Sequence, residues 1–426
     1  MYLRGSKWSM QRRRKPINPL RIFVLVGLVA GALYVNQVVV PATPPLFIPT
    51  PTPTRAPETY LSEAQSLING GKVNQAIATY EEAIKADPRN PATYITLARW
   101  QVLYGFYDKA IENIDNALLL NPDNALAKAV KGWILAKQGE FELAQVQLDS
   151  AIDQDPNNAL AYAYRAELGI ERIRNNRDDP TTQQKAIDDS QEAKKLGPDL
   201  LEVHRVRGLI LEFTSQPEEA IKEYEAAVAL NKNLADLHLA LGRNYRLAGL
   251  TNQSVDSLMT AISLRPEDAE PYAELSTTYL NLGEFSKGLQ YSEQAVKIDP
   301  SDPYLHGMLG TMYFKNLQYG EAVPPLRLAV RGGLTPEGVQ VQPIPLNPTN
   351  NPTSGVYYAR YGIALANIGQ CGEAVTVAQQ LIQAAPGDEN AAYNAQVVFD
   401  TCKEQVNNPL PEGTSEEETP ETTVAP

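Results

Sequence analysis

Over residues 57 to about 403, apolar side chains recur three and four residues apart in short runs, each closed by a glycine or a proline. That spacing predicts amphipathic helices in close succession rather than strands. Three stretches lie in register at intervals of 34 residues: GKVNQAIATYEEAIKADPRN (71–90), GFYDKAIENIDNALLLNPDN (105–124) and GEFELAQVQLDSAIDQDPNN (139–158). Few side chains persist among them, but one Gly, two Ala and one Pro do. A period of this length is that of a helix–turn–helix unit, whose apolar face is covered only when neighbouring units stack on it.

Each persistent residue has a mechanical reason. Counted from the start of the first helix, the eighth slot is small throughout: Ala64, Ala98, Gly132, Ala166, Gly208, Gly242, Ser276, Gly310 and Gly362. A small residue there lets the paired helix approach without a side-chain collision. The turn follows at Gly71, Gly105, Gly139, Gly249, Gly283 and Gly369, where a left-handed residue can end a helix. The second helix carries Ala76, Ala110 and Ala144, each with another Ala seven residues on, two turns along the same face. Pro88, Pro122 and Pro156 close the units, where a helix must stop and reverse.

These residues, with HLALGRNY (238–245) and HGMLGTMY (306–313) as first-helix patterns, resemble the tetratricopeptide repeat family. Nine units begin near Pro57, Pro91, Ala125, Ala159, Leu201, Ala235, Ala269, Pro303 and Gly355, and a capping helix follows over roughly 389–403. The resemblance implies an all-α, right-handed superhelical solenoid of about nine units over 57–403. It also implies a protein or peptide partner, held on a concave face lined by the first helices. The slots that would point inward hold Ile95, Arg99, Trp133, Leu239, Arg243, Arg246, Tyr304 and Phe314. Exposed aromatics and arginines are what binding hot spots favour. The Lys-and-Asn clamp by which some relatives hold a terminal carboxylate is absent, since Leu61, Gln65, Ile95 and Arg99 stand in those slots. Three irregularities interrupt the period. Unit four carries an insertion near 175–185. Unit eight has Pro324 and Pro325 where its second helix should run, which predicts a late start. Residues 332–354 separate units eight and nine, and Val339, Val341, Ile344 and Leu346 give that segment the anchors of an ordered loop.

The flanks change the picture. Residues 1–21 hold seven basic side chains and no acid, and residues 22–40 follow without a charge. That length suits a transmembrane helix, and the basic flank would remain in the cytoplasm. The expected protein is therefore a single-pass, bacterial-type inner-membrane protein with its solenoid outside. Gly27 and Gly31 form a GxxxG pattern through which two anchors could pair as a homodimer. The competing reading is a cleaved signal peptide, with Ala30–Gly31–Ala32 as its processing site and a secreted product. Residues 41–56, rich in Pro and Thr, read as an extended stalk, and 404–426 as an acidic, disordered tail.

Charge excludes one class of partner. The net charge is -13, and removing the seven N-terminal basic residues from 37 leaves 30 against 50 acids, or -20. Such a body repels nucleic acid. No phosphate-cradling loop, metalloprotease motif or nucleophile elbow occurs, and no metal or cofactor is expected. His204, His238 and His306 repeat one slot of their units and read as packing residues; acid pairs such as Asp178–Asp179, Asp188–Asp189 and Glu416–Glu418 read as solvated charge. The enzymatic alternative is an enzyme or accessory subunit acting on envelope polymers through the 332–354 loop. The only cysteines, Cys371 and Cys402, fall at the start of one helix and near the end of the next. Antiparallel packing of those helices would bring them within bridging distance.

Overall fold

The computed structural model describes residues 18–39, 55–175 and 181–407. The chain divides into two compact units, 1–56 and 57–426. In the first, Pro19 opens α1 (Pro19–Tyr34), where its missing N–H costs nothing, and the Asn18 side chain accepts from Leu20 N at 3.1 Å. A wider π turn, Val35–Val39, continues it. Residues Pro19–Val38, of mean hydropathy 1.7, form the one helix among the described residues long and apolar enough to cross a membrane. Beyond the helix's own backbone and the adjacent residues, no atom lies within 4 Å of where a side chain would begin on Gly27 or Gly31. Most of the expected basic segment (1–17) and stalk (40–54) lies outside the described residues.

The second unit is the repeat array. Its first three pairs are α2 (Pro57–Asn69) with α3 (Val73–Ala86), α4 (Pro91–Leu103) with α5 (Tyr107–Leu120), and α6 (Ala125–Lys137) with α7 (Phe141–Gln154). Next come α8 (Ala159–Arg174) with α9 (Thr182–Leu196), α10 (Leu201–Phe213) with α11 (Pro217–Leu230), and α12 (Ala235–Leu247) with α13 (Thr251–Leu264). The last three are α14 (Ala269–Leu282) with α15 (Phe285–Ile298), α16 (Pro303–Lys315) with α17 (Tyr319–Arg331), and α18 (Pro352–Asn367) with α19 (Cys371–Ala384), capped by α20 (Glu389–Asn407). The all-helical architecture of consecutive packed pairs is the one the period implies.

The persistent residues do what their positions suggest. A side chain begun on Gly132 would stand 2.6 Å from Leu148 Cγ, and one on Gly242 would stand 2.5 Å from Leu258 Cγ. The six turn glycines all adopt φ between 73° and 82°. Units five and eight lack the glycine, and Ser215 (φ 60°) and Leu317 (φ 61°) take the left-handed position instead. In units two, six, seven and eight the fourth slot of the first helix ties the unit to the loop before it. The Tyr94 hydroxyl donates to Pro88 O (3.3 Å) and Tyr272 to Pro266 O (3.2 Å). In the same slot, His238 Nε2 donates to Lys232 O and His306 Nε2 to Pro300 O, both at 2.9 Å. A histidine replaces the tyrosine there because its N–H reaches the same carbonyl.

Three expectations are refined. The second helix of unit eight does not start late: α17 runs through Pro324 and Pro325. The two absent N–H groups would have met the carbonyls of Gly320 and Glu321, residues exposed to water, so no acceptor is stranded. Burial of Ala322, Pro325, Leu326, Ala329 and Val330 holds the helix in place. In unit four, α8 has 16 residues where α4 and α6 have 13, so extra helix takes up part of the insertion. Residues 176–180 of that insertion lie outside the described residues. The long loop is ordered. Gly333 pairs with Val341 and Leu334 with Gln340 in a short antiparallel ladder, β1 (Gly333–Leu334) with β2 (Gln340–Val341). Ile344 N donates to Ala329 O at 2.8 Å. Val341 and Ile344 are buried, and Val339 and Leu346 half-buried. The helix after the loop begins at Pro352, three residues before the expected Gly355.

Cys371 and Cys402 form a disulfide, with Cα atoms 5.6 Å apart across a separation of 31 residues. Helix α20 runs to Asn407, past the expected end at 403; residues 408–426 lie outside the described residues. Closing this loop restricts the unfolded chain, and the bridge should contribute about 2–4 kcal/mol. Replacing Cys402 by Ser should therefore lower amide protection across α19 and α20 first in hydrogen exchange, while units one to seven keep theirs. Equal loss in all units would show that the cap is not a local unfolding element.

Candidate interaction surface

First helices of neighbouring units pack side by side, and charged pairs link first helices to one another, between neighbours and, through Arg99, between units two and five. Arg205 Nη1 donates to Glu167 Oε1 at 2.9 Å, its Nη2 bonds Oε2, and Lys137 Nζ reaches Oε1 at 2.6 Å. Burial pushes the Glu167 carboxyl up, but Arg205 and Lys137 outweigh it and hold its pKa well below the carboxylate range. Arg99 Nε and Nη2 donate to Glu202 Oε1 at 2.9 and 2.6 Å. Arg243 Nε meets Glu212 Oε1 at 3.1 Å and its Nη1 meets Glu270 Oε1 at 2.6 Å. Arg246 Nη2 donates to Glu274 Oε2 at 2.9 Å. Burial opposes the charge of Arg99, Arg205 and Arg243, yet their carboxylates raise all three above the ordinary arginine value.

The residues expected to face a groove are thus mostly occupied. Ile95 and Leu239 are buried, and Trp133, 1 % exposed, lies inside the core. Its ring stacks on Tyr164 at 4.4 Å between centroids and 7° between planes, with the Arg205 guanidinium 5.3 Å away. Arg99, Arg243 and Arg246 are ion-paired as described. Phe314 is half-buried, edge-on to Tyr319 at 5.4 Å. Tyr304 is 43 % exposed and alone of the eight presents a large open surface. The expectation of exposed anchors is corrected for Ile95, Trp133 and Leu239, because the facing helix closes over them.

Two further expectations can be placed. Asp189 is buried rather than solvated, and Arg165 Nε and Nη2 each hold it at 2.8 Å. Asp178–Asp179 and Glu416–Glu418 lie outside the described residues. The three histidines do not meet: His204 Nδ1 sits 2.6 Å from Glu223 Oε2, while the other two bond separate loops. Among the described residues, no group of three or more His, Cys, Asp or Glu is placed to hold a metal ion.

The N-terminal units also touch units five and six directly. Asn233 Nδ2 donates to Asn69 O at 2.9 Å and to Ile68 O at 3.3 Å. Asn231 Nδ2 reaches the Tyr104 hydroxyl at 3.4 Å, and Arg99 holds Glu202 beside them. These contacts flank a cavity of about 420 Å³ lined by Gln65, Trp100, Leu103, Leu200 and Leu230. Sequence reasoning missed Glu167, Glu202 and Glu212, although each occupies an inward slot of its own unit. An acid in such a slot, opposite an arginine in a neighbour's, was the signal.

Models of the family described as tetratricopeptide repeat match residues 67–134 and 269–302. No curated protein matches the chain in sequence. Among solved structures, a chain of the APC/C hetero-tetramer Cut9–Hcn1 is 17 % identical, with a TM-score of 0.48 over 60 % of this chain and 49 % of that one. The chain thus spans about half the length of that first match. PilW, a type IV pilus biogenesis factor, is 17 % identical, with a TM-score of 0.43 over 48 % of this chain and 91 % of its own. YrrB, a TPR protein with an unusual peptide-binding site, is 21 % identical, with a TM-score of 0.33 over 44 % and 92 %. The match at 269–302 coincides with the pair α14 and α15, and the match at 67–134 runs from the end of α2 into α6, so the chain carries tetratricopeptide repeats, and the remaining helix pairs repeat their architecture.

Proposed function

We propose that this protein is a non-enzymatic scaffold that binds a protein or peptide segment along the first helices of units seven to nine. It would be held at a bacterial cell envelope, with the repeat array outside the membrane. One observation carries the location of the surface. From unit two to the start of unit seven the facing first-helix side chains are spent on one another, in ion pairs and in the Trp133–Tyr164 stack, with Leu247 at the end of α12 left exposed. Leu282, Tyr304 and Val356 of α14, α16 and α18, in contrast, remain exposed, and no ion pair links α16 or α18 to a neighbouring first helix among the described residues. The long loop supports a binding rather than a catalytic role, since its apolar residues pack onto units eight and nine.

Display outside the membrane is supported by two independent features. A single apolar helix lies near the N-terminus behind an acid-free basic segment. The Cys371–Cys402 bridge suits an oxidising compartment. Gly27 and Gly31 would let two anchors pair.

Protease added to intact spheroplasts should remove the repeat array and leave a small membrane-bound stub. Full protection would overturn this topology, and a soluble mature chain beginning near residue 33 would replace the anchor with a cleaved signal. Scanning Tyr304, Val356 and Leu282 with a photoreactive residue should yield crosslinks to a partner that the same residue at Leu119, on the second helix of unit two, does not. Equal crosslinking from both places would overturn the assigned surface.

A further inference from the structure

The glutamates that close the first helices use their oxygens unequally. Glu167 engages both, with Arg205 Nη1 and Lys137 on Oε1 and Arg205 Nη2 on Oε2. Glu212 also engages both: Oε1 accepts from Arg243 Nε at 3.1 Å, and Oε2 accepts from the Tyr224 hydroxyl at 2.9 Å and Asn244 Nδ2 at 3.1 Å. Glu202 receives both bonds of Arg99 on Oε1, and among the described residues nothing donates to its Oε2. Glu202 is 2 % exposed, and a buried acceptor is costly to leave without a donor. It lines the cavity of about 420 Å³ between units two and five, so a donor for that oxygen comes from whatever fills the cavity. The volume falls within the ~300–1,000 Å³ of small-molecule sites. Trp100 and Leu103 of α4, with Leu200 and Leu230, give the cavity apolar walls. Its neutral polar residues are already engaged, Gln65 with Asn69 Oδ1 at 3.0 Å and Thr96 with Ala92 O at 2.9 Å. Asp199, also at the wall, is exposed and has no ion-pair partner among the described residues.

We propose that this cavity binds a small organic ammonium ion, whose apolar body packs against Trp100, Leu103, Leu200 and Leu230 and whose N–H donates to Glu202 Oε2. Charge selects the cation. Arg99 cancels Glu202, so Asp199 leaves the walls with one net negative charge. The array around them stands at -20 once the N-terminal basic residues are set aside, and it attracts cations and repels anions. The Trp100 ring offers a cation the negative face of an aromatic system. Helix α10 begins at the cavity wall, but Glu202 in its first turn already meets its positive end, so an anion gains no free site there. Among the described residues no third His, Cys, Asp or Glu joins Asp199 and Glu202 as a metal-holding group, so the walls suit an organic cation rather than a metal ion. The site is separate from the surface assigned to units seven to nine and does not depend on it. A ligand in it touches α4 of unit two and α10 of unit five together, and so fastens the N-terminal units to the fifth.

The probe is 2-phenylethylamine, protonated at neutral pH, with 2-phenylethanol and phenylacetate as its neutral and anionic counterparts. Ligand-observed NMR titration of the full chain in nanodiscs of uncharged lipid should show saturable binding of the amine. The alcohol should bind about tenfold more weakly, the usual worth of a charge-assisted hydrogen bond, and phenylacetate not at all. Hydrogen exchange should slow in α4 and at the start of α10 when the amine is added, and stay unchanged in units seven to nine. Leu230→Trp fills the cavity from a position that is 48 % exposed, and should abolish amine binding while the circular dichroism spectrum stays the same. Asp199→Asn, at the surface, should weaken the amine about threefold and leave the alcohol as it was. Equal binding of all three probes would overturn the choice of an ammonium ion. Tighter binding of an acetylated lysine amide than of the amine would assign the cavity to a polypeptide side chain and overturn the small-molecule class. Amine binding that survives Leu230→Trp, with exchange in α4 and α10 unmoved, would overturn the site. No saturable binding at millimolar amine would overturn the inference whole.

Discussion

Replacing Trp133 by Ala should destabilise the array by about 3–5 kcal/mol, the usual cost of removing a large buried aromatic. The expectation follows from where the ring sits. It is buried in the centre of units three to five, stacked on Tyr164 and covered by the Arg205 guanidinium. Stacking adds about 0.5–1.5 kcal/mol to the area term, and the cavity left behind cannot collapse while the surrounding charged groups hold their positions. Trp133→Phe keeps a ring over Tyr164 and should lose roughly half as much. Urea unfolding followed by far-UV circular dichroism, with hydrogen exchange to assign the loss to units three to five, gives the readout. A binding anchor behaves in the opposite way: its truncation leaves stability unchanged and weakens partner capture. Unchanged stability in Trp133→Ala would therefore show that the ring is free in solution, and the packing described for units two to five would be wrong.

That contrast marks where sequence and structure part. Local features were legible. Each turn glycine, small eighth slot and closing proline sets a conformation within one unit, so its reason lies within one unit's residues. The disulfide was legible for the same cause, because Cys371 and Cys402 belong to consecutive antiparallel helices. The open face of the first helices was not. Whether Arg99 meets solvent or Glu202 depends on how tightly the array winds, a sum of small rotations over three units. The pair is separated by 103 residues, and the Asn233–Asn69 contact by 164. No periodicity reports such a distance. Ser215 and Leu317 show a milder limit: their left-handed turns follow from the position in the unit, although neither residue favours that conformation.

Glu167 should be the most sensitive charge in the molecule. It is almost fully buried and is shared by Arg205 and Lys137. Removing it as Glu167→Ala leaves two partly buried cations facing each other, with only Glu171 remaining beside Lys137, and the expected loss is about 3–5 kcal/mol. Glu167→Gln keeps the shape and some hydrogen bonds, so it should lose less. Acid provides a second readout. Because Arg205 and Lys137 outweigh burial and hold the folded pKa of Glu167 well below its unfolded value, its contribution is complete above roughly pH 4.3. It declines as pH falls from there toward the depressed folded pKa. The stability difference between wild type and Glu167→Gln should accordingly be constant from neutral pH to about pH 5 and shrink below about pH 4. The combination Lys137→Met, Glu167→Leu and Arg205→Met removes the charges together and should recover part of the loss, since a buried ion network gains little over apolar packing of similar volume. A difference that grows toward acid pH would mean that the carboxyl is not held ionised by its neighbours, and the charged pairs between first helices could then no longer be treated as the reason those faces are closed.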